Sequence, residues 1–229
     1  MSVKESGSLQ FNDISWRVSL LGEQVILMEC APDIPIDKIH DSTHLIEKLL
    51  ADDLNDIVPA YHSIAIFTSL SIVDVRKVLN GKKSKINQPG KGDDIIELPI
   101  CYEVGFDLER VAEHANFPIE KVIDIHLSGT YRSLFMGFTP GFIYADGLAD
   151  QIACPRLDTP RKLLPAGAVG IAGTQTGIYS LQSPGGWNII GRTPTKIFDL
   201  NRKPPILIDV GTQYRFVRIS QKAFETWGS

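Results

Sequence analysis

Glycine and proline crowd one part of this sequence and are sparse in another. Residues 129–211 hold 12 glycines and 8 prolines, whereas the longer stretch 1–90 holds four of each. Both residues punctuate regular structure, so the dense part predicts short strands joined by constrained turns. The sparse part predicts ordinary helices and strands. Between them, Gly81–Asp94 (GKKSKINQPGKGDD) is polar, charged and almost free of apolar side chains, which reads as a connection between domains. The expected division is a domain over residues 1–92 and a second over 93–229.

In the first part, Ile14–Leu20 and Gln24–Cys30 read as strands joined by a short turn at Leu21–Glu23. Ile36, Ile39, Leu45, Ile46, Leu49 and Leu50 fall mostly at helical spacing. Tyr61–Thr68 reads as another strand, and Ser71 with Asp74 predicts a capped helix over Ile72–Asn80. That order predicts a small α+β layer. The second part opens with a strand at Ile95–Tyr102. Asp107 is placed to cap a helix running to about Ala115, and Pro118 to open another to about Leu127. From Thr130 onward only strand-like runs follow: 131–138, 142–144, 169–172, 187–190, 197–199, 206–209 and 214–219. Such repetition predicts a closed barrel or a sandwich.

Composition narrows function by exclusion. The chain has 229 residues, is 43% hydrophobic, and carries 23 basic against 27 acidic side chains. A formal charge of −4 and a pI near 5.7 disfavour a nucleic-acid partner. No apolar run is long enough for a membrane span, and MSVKESGSLQ has no apolar core of a secretory signal, so the expected location is the cytoplasm. Cys30, Cys101 and Cys154 are isolated and odd in number, reading as reduced thiols, neither disulfides nor zinc ligands. His40 and His44 share a helical spacing without a third ligand, so no metal site is expected. The sequence also lacks a phosphate loop G-x-x-x-x-G-K-S/T, a G-x-G-x-x-G turn, a G-x-S-x-G elbow and an H-E-x-x-H pair.

The dense part does hold chemistry-bearing residues: Met136–Leu148 (MGFTPGFIYADGL), Cys154–Gly167 (CPRLDTPRKLLPAG) and Gly170–Pro194 (GIAGTQTGIYSLQSPGGWNIIGRTP). Its glycines can place main-chain N–H groups around a small anion, or simply turn the corners of a tight barrel. Thr174, Gln175, Thr176, Tyr179, Ser183 and Asn188 lie among them, with Trp187 as an apolar wall for a small molecule. Arg156 and Arg161, each after or near a proline, can present forks to a carboxylate or phosphate, or form surface salt bridges. The segment TQTGIY, broken by Gly173 and Gly177, reads as a loop between strands whose side chains point into a barrel mouth. His126 stands at a helix end, where it can act as an acid–base group or simply pack.

These strings carry a family resemblance. GFTPGFIYADGL, PRLDTPRKLLPAGAVGIAGTQTGIY, SPGGWNIIGRTP and YRFVRI resemble the family of the 5-oxoprolinase B subunit, also called the KipI or allophanate-hydrolase-subunit-1 family. VPAYHSIAIF resembles its amino-terminal domain, and FDLERVAE with VIDIHLSGTY the start of its carboxy-terminal one. The resemblance implies an α+β protein: a small α+β amino-terminal domain followed by a cyclophilin-like β-barrel. It implies a hydrolase component that works with a KipA-like C subunit, and with an A subunit, to open 5-oxo-L-proline to L-glutamate. ATP is then consumed by the complex and not bound by this chain alone, and no metal or organic cofactor is called for. On this reading His126, Gln175 and Tyr179 are candidate catalytic groups. Arg156, Arg161, Thr174, Thr176, Ser183 and Trp187 are candidate substrate-binding groups. Relatives in the family include an inhibitor of a sporulation histidine kinase and parts of urea amidolyases, which stand as alternatives. The sequence departs from the family at Tyr102–Leu108, where a glycine pair is missing, and at Ala168 and Ser180, where Ser and Pro are common.

Overall fold

The computed structural model describes residues 4–84 and 95–228. The chain divides into two compact units, Met1–Pro89 and Gly90–Ser229. The boundary expected at residue 92 lies outside the described residues.

The amino-terminal unit is a five-stranded antiparallel sheet with two helices. Its strands are β1 (Lys4–Phe11), β2 (Ile14–Leu21), β3 (Val25–Glu29), β4 (Leu54–Pro59) and β5 (Ser63–Thr68), in the order β1-β2-β3-β5-β4. Helix α1 (Ile36–Leu49) precedes β4 and helix α2 (Ile72–Leu79) follows β5. Ser71 caps α2 as its position predicts, its hydroxyl accepting the Asp74 N–H at 3.2 Å. Alternate residues Trp16, Val18, Ile26, Met28, Ile64 and Ile66 pack against Ile39 and Ile46 of α1 and Val75 and Leu79 of α2. Strands β1 and β4 do not stand out in the sequence. The first is pinned by its hairpin: Asn12 and Asp13 both adopt positive φ, 53° and 62°, the pair of conformations that a two-residue turn of matching twist requires.

The carboxy-terminal unit is a barrel. Its elements are β6 (Ile96–Ile100), α3 (Leu108–Ala115), α4 (Ile119–Ser128), β7 (Tyr131–Met136), β8 (Ile143–Asp146), β9 (Arg161–Leu164), β10 (Ala168–Ala172), β11 (Gln175–Ile178), β12 (Ser183–Gly185), β13 (Asn188–Arg192), β14 (Gln213–Arg218) and α5 (Gln221–Glu225). Seven strands form one sheet, β13-β10-β11-β8-β7-β14-β6, and β9 with β12 form a separate ribbon. The sheet curls until its ends meet. Just beyond β6, Cys101 exchanges two backbone hydrogen bonds of 2.9 Å with Arg192 of β13. Gly105 sits against that seam, where a Cβ would stand 2.4 Å from the Ile190 carbonyl oxygen. The interior is filled by Leu98, Ile100, Tyr131, Ile143, Val169, Ile171, Ile178, Ile190, Tyr214 and Phe216, with Val111 and Ala112 of α3 and Val122 and Ile123 of α4 packed on it.

This is the expected α+β class with a nearly closed barrel, and some local readings change. TQTGIY is not a loop: Gln175–Ile178 is strand β11, paired with both β10 and β8. Gly177 does not break the strand because it makes room for the Trp187 ring, while Gly173 lies in the turn before the strand. Conversely, 197–199 and 206–209 are not strands and share only the isolated bridge Phe198–Ile206. The segment after Thr130 also holds a 3-10 turn, Asp150–Ile152, and helix α5. Asp107 stands at the start of α3 but its side chain makes no capping bond, because the carboxylate is engaged elsewhere.

Candidate functional site

The barrel wall has two apolar faces. Along β8, β10, β11 and β13, Ile143, Val169, Ile171, Ile178 and Ile190 point into the interior cluster. Their neighbours Tyr144, Ala168, Ala172, Tyr179 and Ile189 belong to a second cluster with Phe142, Leu164 and Trp187. Three glycines of the central band, Gly170, Gly177 and Gly185, serve that second cluster. A Cβ on Gly177 would stand 2.8 Å from the Trp187 ring and one on Gly170 3.0 Å from the Trp187 Cβ. One on Gly185 would stand 2.2 Å from the Tyr179 hydroxyl. These positions are glycine so that an indole and a phenol can lie close against strands.

The result is an aromatic box with a cation at its rim. Phe142 meets Tyr179 edge-on at 4.8 Å and Trp187 at 5.6 Å, and Tyr144 meets Trp187 at 5.8 Å between ring centroids. Arg156 is exposed, its guanidinium carbon 5.7 Å from the centroid of the Trp187 ring. Burial pushes the Tyr179 phenol up to about 12, opposed by a backbone hydrogen bond with Trp187 and by the charge of Arg156. Burial also raises Tyr144, again against Arg156. Both phenols thus keep their protons near neutral pH. Phe142, Tyr179 and Trp187 are themselves buried, so what the cluster offers outward is the exposed Arg156 fork at its rim, a group that can pair with a small anion.

The other residues singled out from sequence divide into three groups. Alternation puts half-buried Gln175 on the same strand face as Gly177 and, just past β11, Tyr179, while Thr174 is exposed in the β10–β11 turn. Thr176 faces the other way, fully buried, and its hydroxyl donates to the Gly170 carbonyl at 3.1 Å. Ser183 is buried in β12, its hydroxyl without a partner among the described residues. Asn188 braces the wall: its amide donates to Pro155 and Ile171 carbonyls at 2.8 and 3.0 Å, and its oxygen accepts from Arg110 at 2.9 Å.

Arg161 and His126 depart from the expected picture. The Arg161 fork already holds both oxygens of Asp107, at 2.8 and 2.6 Å. It is occupied within the chain and not extended to a ligand. His126 is fully buried in the barrel interior, its Nδ1 2.7 Å from the Tyr102 hydroxyl and its ring stacked on Phe216 at 4.9 Å. Burial lowers its pKa to about 3. A neutral ring without access to solvent is a packing residue and not an acid–base catalyst. Phe142 and Tyr144, which sequence reasoning passed over, are the missing walls of the box; their alternate spacing in GFIY was the available signal.

A cleft of about 870 Å³ lies in the amino-terminal unit and is lined by Arg17, Glu29, Cys30 and His62 among others. Its charged groups are satisfied, with Arg17 on Glu29 at 2.8 Å, and burial raises the Cys30 thiol, so it offers no activated nucleophile. Among the described residues, no group of three or more His, Cys, Asp or Glu is placed to hold a metal ion, and no helix is long and apolar enough to cross a membrane.

Residues 16–208 match the family described as carboxyltransferase domain, subdomain C and D. The chain belongs to this family. Within the carboxyltransferase family it is 33% identical to the 5-oxoprolinase B subunit of Bacillus subtilis strain 168, over 93% of this chain and 97% of that protein. The 5-oxoprolinase B subunit of Escherichia coli O157:H7 is 34% identical, over 88% and 95%. Among solved structures, the conserved uncharacterized protein PH0987 of Pyrococcus horikoshii is 35% identical with a TM-score of 0.55, covering 90% of this chain and 99% of its own. TTHA0988 is 30% identical with a TM-score of 0.69 over 85% of this chain, which corresponds to 40% of that longer protein. Part of the Kluyveromyces lactis urea amidolyase has a similar fold, with a TM-score of 0.71 over 98% of this chain and 16% of its own at 17% identity.

Proposed function

We propose that this chain is the B subunit of an ATP-dependent 5-oxoprolinase, acting in the cytoplasm with an A subunit, and with a KipA-like C subunit, to open 5-oxo-L-proline to L-glutamate. The observation that carries this reading is likeness at 33–36% identity to three 5-oxoprolinase B subunits, two of them matched over nearly their whole length. The box supports it chemically. A lactam carboxylate carries one negative charge, which the exposed Arg156 fork at the edge of the Trp187 cluster can pair with.

A lactam is a stable amide, so its opening needs activation. Transfer of the terminal phosphoryl group of ATP to the lactam oxygen releases ADP and makes the ring carbon electrophilic. Water adds to that carbon and the C–N bond breaks, the nitrogen taking a proton. A second water releases inorganic phosphate and leaves glutamate. The sequence has no phosphate loop, so ATP falls to the assembled complex, and this chain supplies binding and charge stabilisation. Reconstitution with the A and C subunits tests this: glutamate and phosphate should form together, and omission of this chain should abolish both. Equal rates without it would refute the assignment. Likeness to a putative urea carboxylase of Emericella nidulans, 27% identical over 131 residues, makes urea and allophanate the substrates to run alongside.

A further inference from the structure

Phe138 occupies a backbone conformation that large side chains rarely adopt. Its φ is +66°, at the centre of a tight turn in which the Thr139 N–H donates to the Gly137 carbonyl at 2.7 Å. A turn of this hand is strained for any residue with a Cβ. Burial does not offset the strain, because Phe138 is 62% exposed and touches the box only edge-on, 5.7 Å from Phe142 and 6.5 Å from Tyr179 between centroids. The turn is held nonetheless. The Phe142 N–H donates to the Thr139 carbonyl at 3.0 Å, and the Ser180 hydroxyl donates to the Pro140 carbonyl at 2.5 Å.

A second braced loop abuts this turn. A Cβ on Gly141 would stand 2.9 Å from the Phe198 Cβ. Between Phe198 and Thr212 the chain forms no regular element, yet Arg202 commits its guanidinium to this loop, donating to the carbonyls of Lys196 at 3.0 Å, Ile197 at 2.6 Å and Pro205 at 3.0 Å. The Asp199 carboxylate accepts the Asn201 N–H at 3.0 Å. What this loop holds outward is Leu200, 82% exposed.

Two adjoining rigid loops thus each display a large apolar side chain. Exposed prongs do not enclose a small ligand, whose sites are concave. They suit a pocket on another protein, where a few buried anchors carry most of the affinity and pre-set geometry lowers the entropy cost of docking. The flank of Leu200 is cationic: residues 192–203 carry Arg192, Lys196, Arg202 and Lys203 against Asp199 alone, in a chain whose formal charge is −4. We infer that Phe138 and Leu200 are the anchors by which this chain docks into an apolar, carboxylate-edged pocket on its sister C subunit. This rests on the 5-oxoprolinase reading above.

The test is calorimetric titration of the full-length chain, wild type, Phe138→Gly and Leu200→Ser, with the purified C subunit. Each variant should bind at least about tenfold more weakly. Phe138→Gly should also melt at or above the wild-type temperature, since glycine relieves the turn. Wild-type affinity in both variants, or no binding by the wild type, overturns the inference. So does a melting temperature several degrees lower for Phe138→Gly, which would make the ring structural. Gel filtration in which Phe138 and Leu200 instead join two copies of this chain overturns it as well. Coupled glutamate formation by the wild type, assayed in parallel, separates the two claims. If glutamate forms while the variants bind normally, only the docking surface falls; if none forms although the C subunit is bound, the 5-oxoprolinase reading falls.

Discussion

Arg161 and Asp107 form a two-pronged ion pair, Nη1 to Oδ2 at 2.8 Å and Nη2 to Oδ1 at 2.6 Å, between strand β9 and the start of helix α3. The Asp107 side chain is 6% exposed and that of Arg161 32%. The same carboxylate accepts the Ile189 N–H at 2.7 Å, so one acid ties the β9–β12 ribbon, helix α3 and strand β13 together. Removal of the arginine leaves a buried charge with one backbone donor, and such breaks are costly. Arg161→Ala should therefore destabilise the chain by about 2–3 kcal/mol, measured by urea unfolding. Arg161→Lys should recover less than half, because an ammonium cannot form the fork. Wild-type stability in Arg161→Ala would show that the fork is free for a ligand after all.

Arg156 makes the complementary case. It is exposed, lies over the Trp187 ring, and contributes little to the fold. Arg156→Ala should lower coupled glutamate formation by about ten- to a thousandfold, the range for losing one charge-stabilising group at a reacting centre. Its melting temperature should stay within about 2 °C of wild type. Gln175→Ala, at the end of the same face, is the companion. Full activity in both variants would move the chemistry to another component of the complex.

Local signals made much of the fold legible. Ser71 and Pro118 sit at the starts of α2 and α4, and the runs Ile14–Leu20, Gln24–Cys30 and Tyr61–Thr68 that read as strands fall on β2, β3 and β5. What escaped was either local but subtle or distant in sequence. Strand β1 (KESGSLQF) has little apolar content and is set by the Asn12–Asp13 turn. Strand β11 was disguised by Gly173, which turns the chain at φ +60° just before it, and by Gly177 within it, since a glycine that makes room for a ring looks in sequence like one that breaks a strand. At the site, Arg156, Tyr179 and Trp187 lie in one dense band and were found together. The partner of Arg161 is 54 residues away, and no spacing rule connects them. His126 looked like chemistry because its residue type is reactive; only its burial decides otherwise.

Gly177 carries the next expectation. A methyl group there would stand 2.7 Å from the Ile143 carbonyl oxygen and 2.8 Å from the Trp187 ring. One contact is backbone and the other a packed indole, so neither neighbour can yield cheaply. Gly177→Ala should destabilise by about 1–3 kcal/mol through overpacking and shift tryptophan emission as Trp187 is displaced. Gly173→Ala is the control, with open space around the added methyl but φ +60°, and should cost about 1 kcal/mol without the spectral change. An unchanged emission in Gly177→Ala would mean that the ring does not rest on the glycine.

His126 makes stability depend on pH in a direction that can be worked out. The imidazole titrates near 6.5 when unfolded, and burial holds it to about 3 in the fold. Between those values the unfolded chain binds a proton that the folded chain does not, so stability rises with pH across that window. The contribution is complete above pH 6.5 and is lost as the pH falls, at about 1.4 kcal/mol per unit. Carboxylates add a loss of the same sign nearer pH 4, which confines a clean reading to pH 5–6.5. His126→Gln removes the titrating group while keeping a hydrogen-bonding side chain beside the Tyr102 hydroxyl. From pH 6.5 to 5 the wild type should lose about 1.5–2 kcal/mol more than this variant, measured by urea unfolding at each pH. Equal losses would mean that the imidazole accepts its proton in the folded chain, and the acid–base role set aside above would have to be restored.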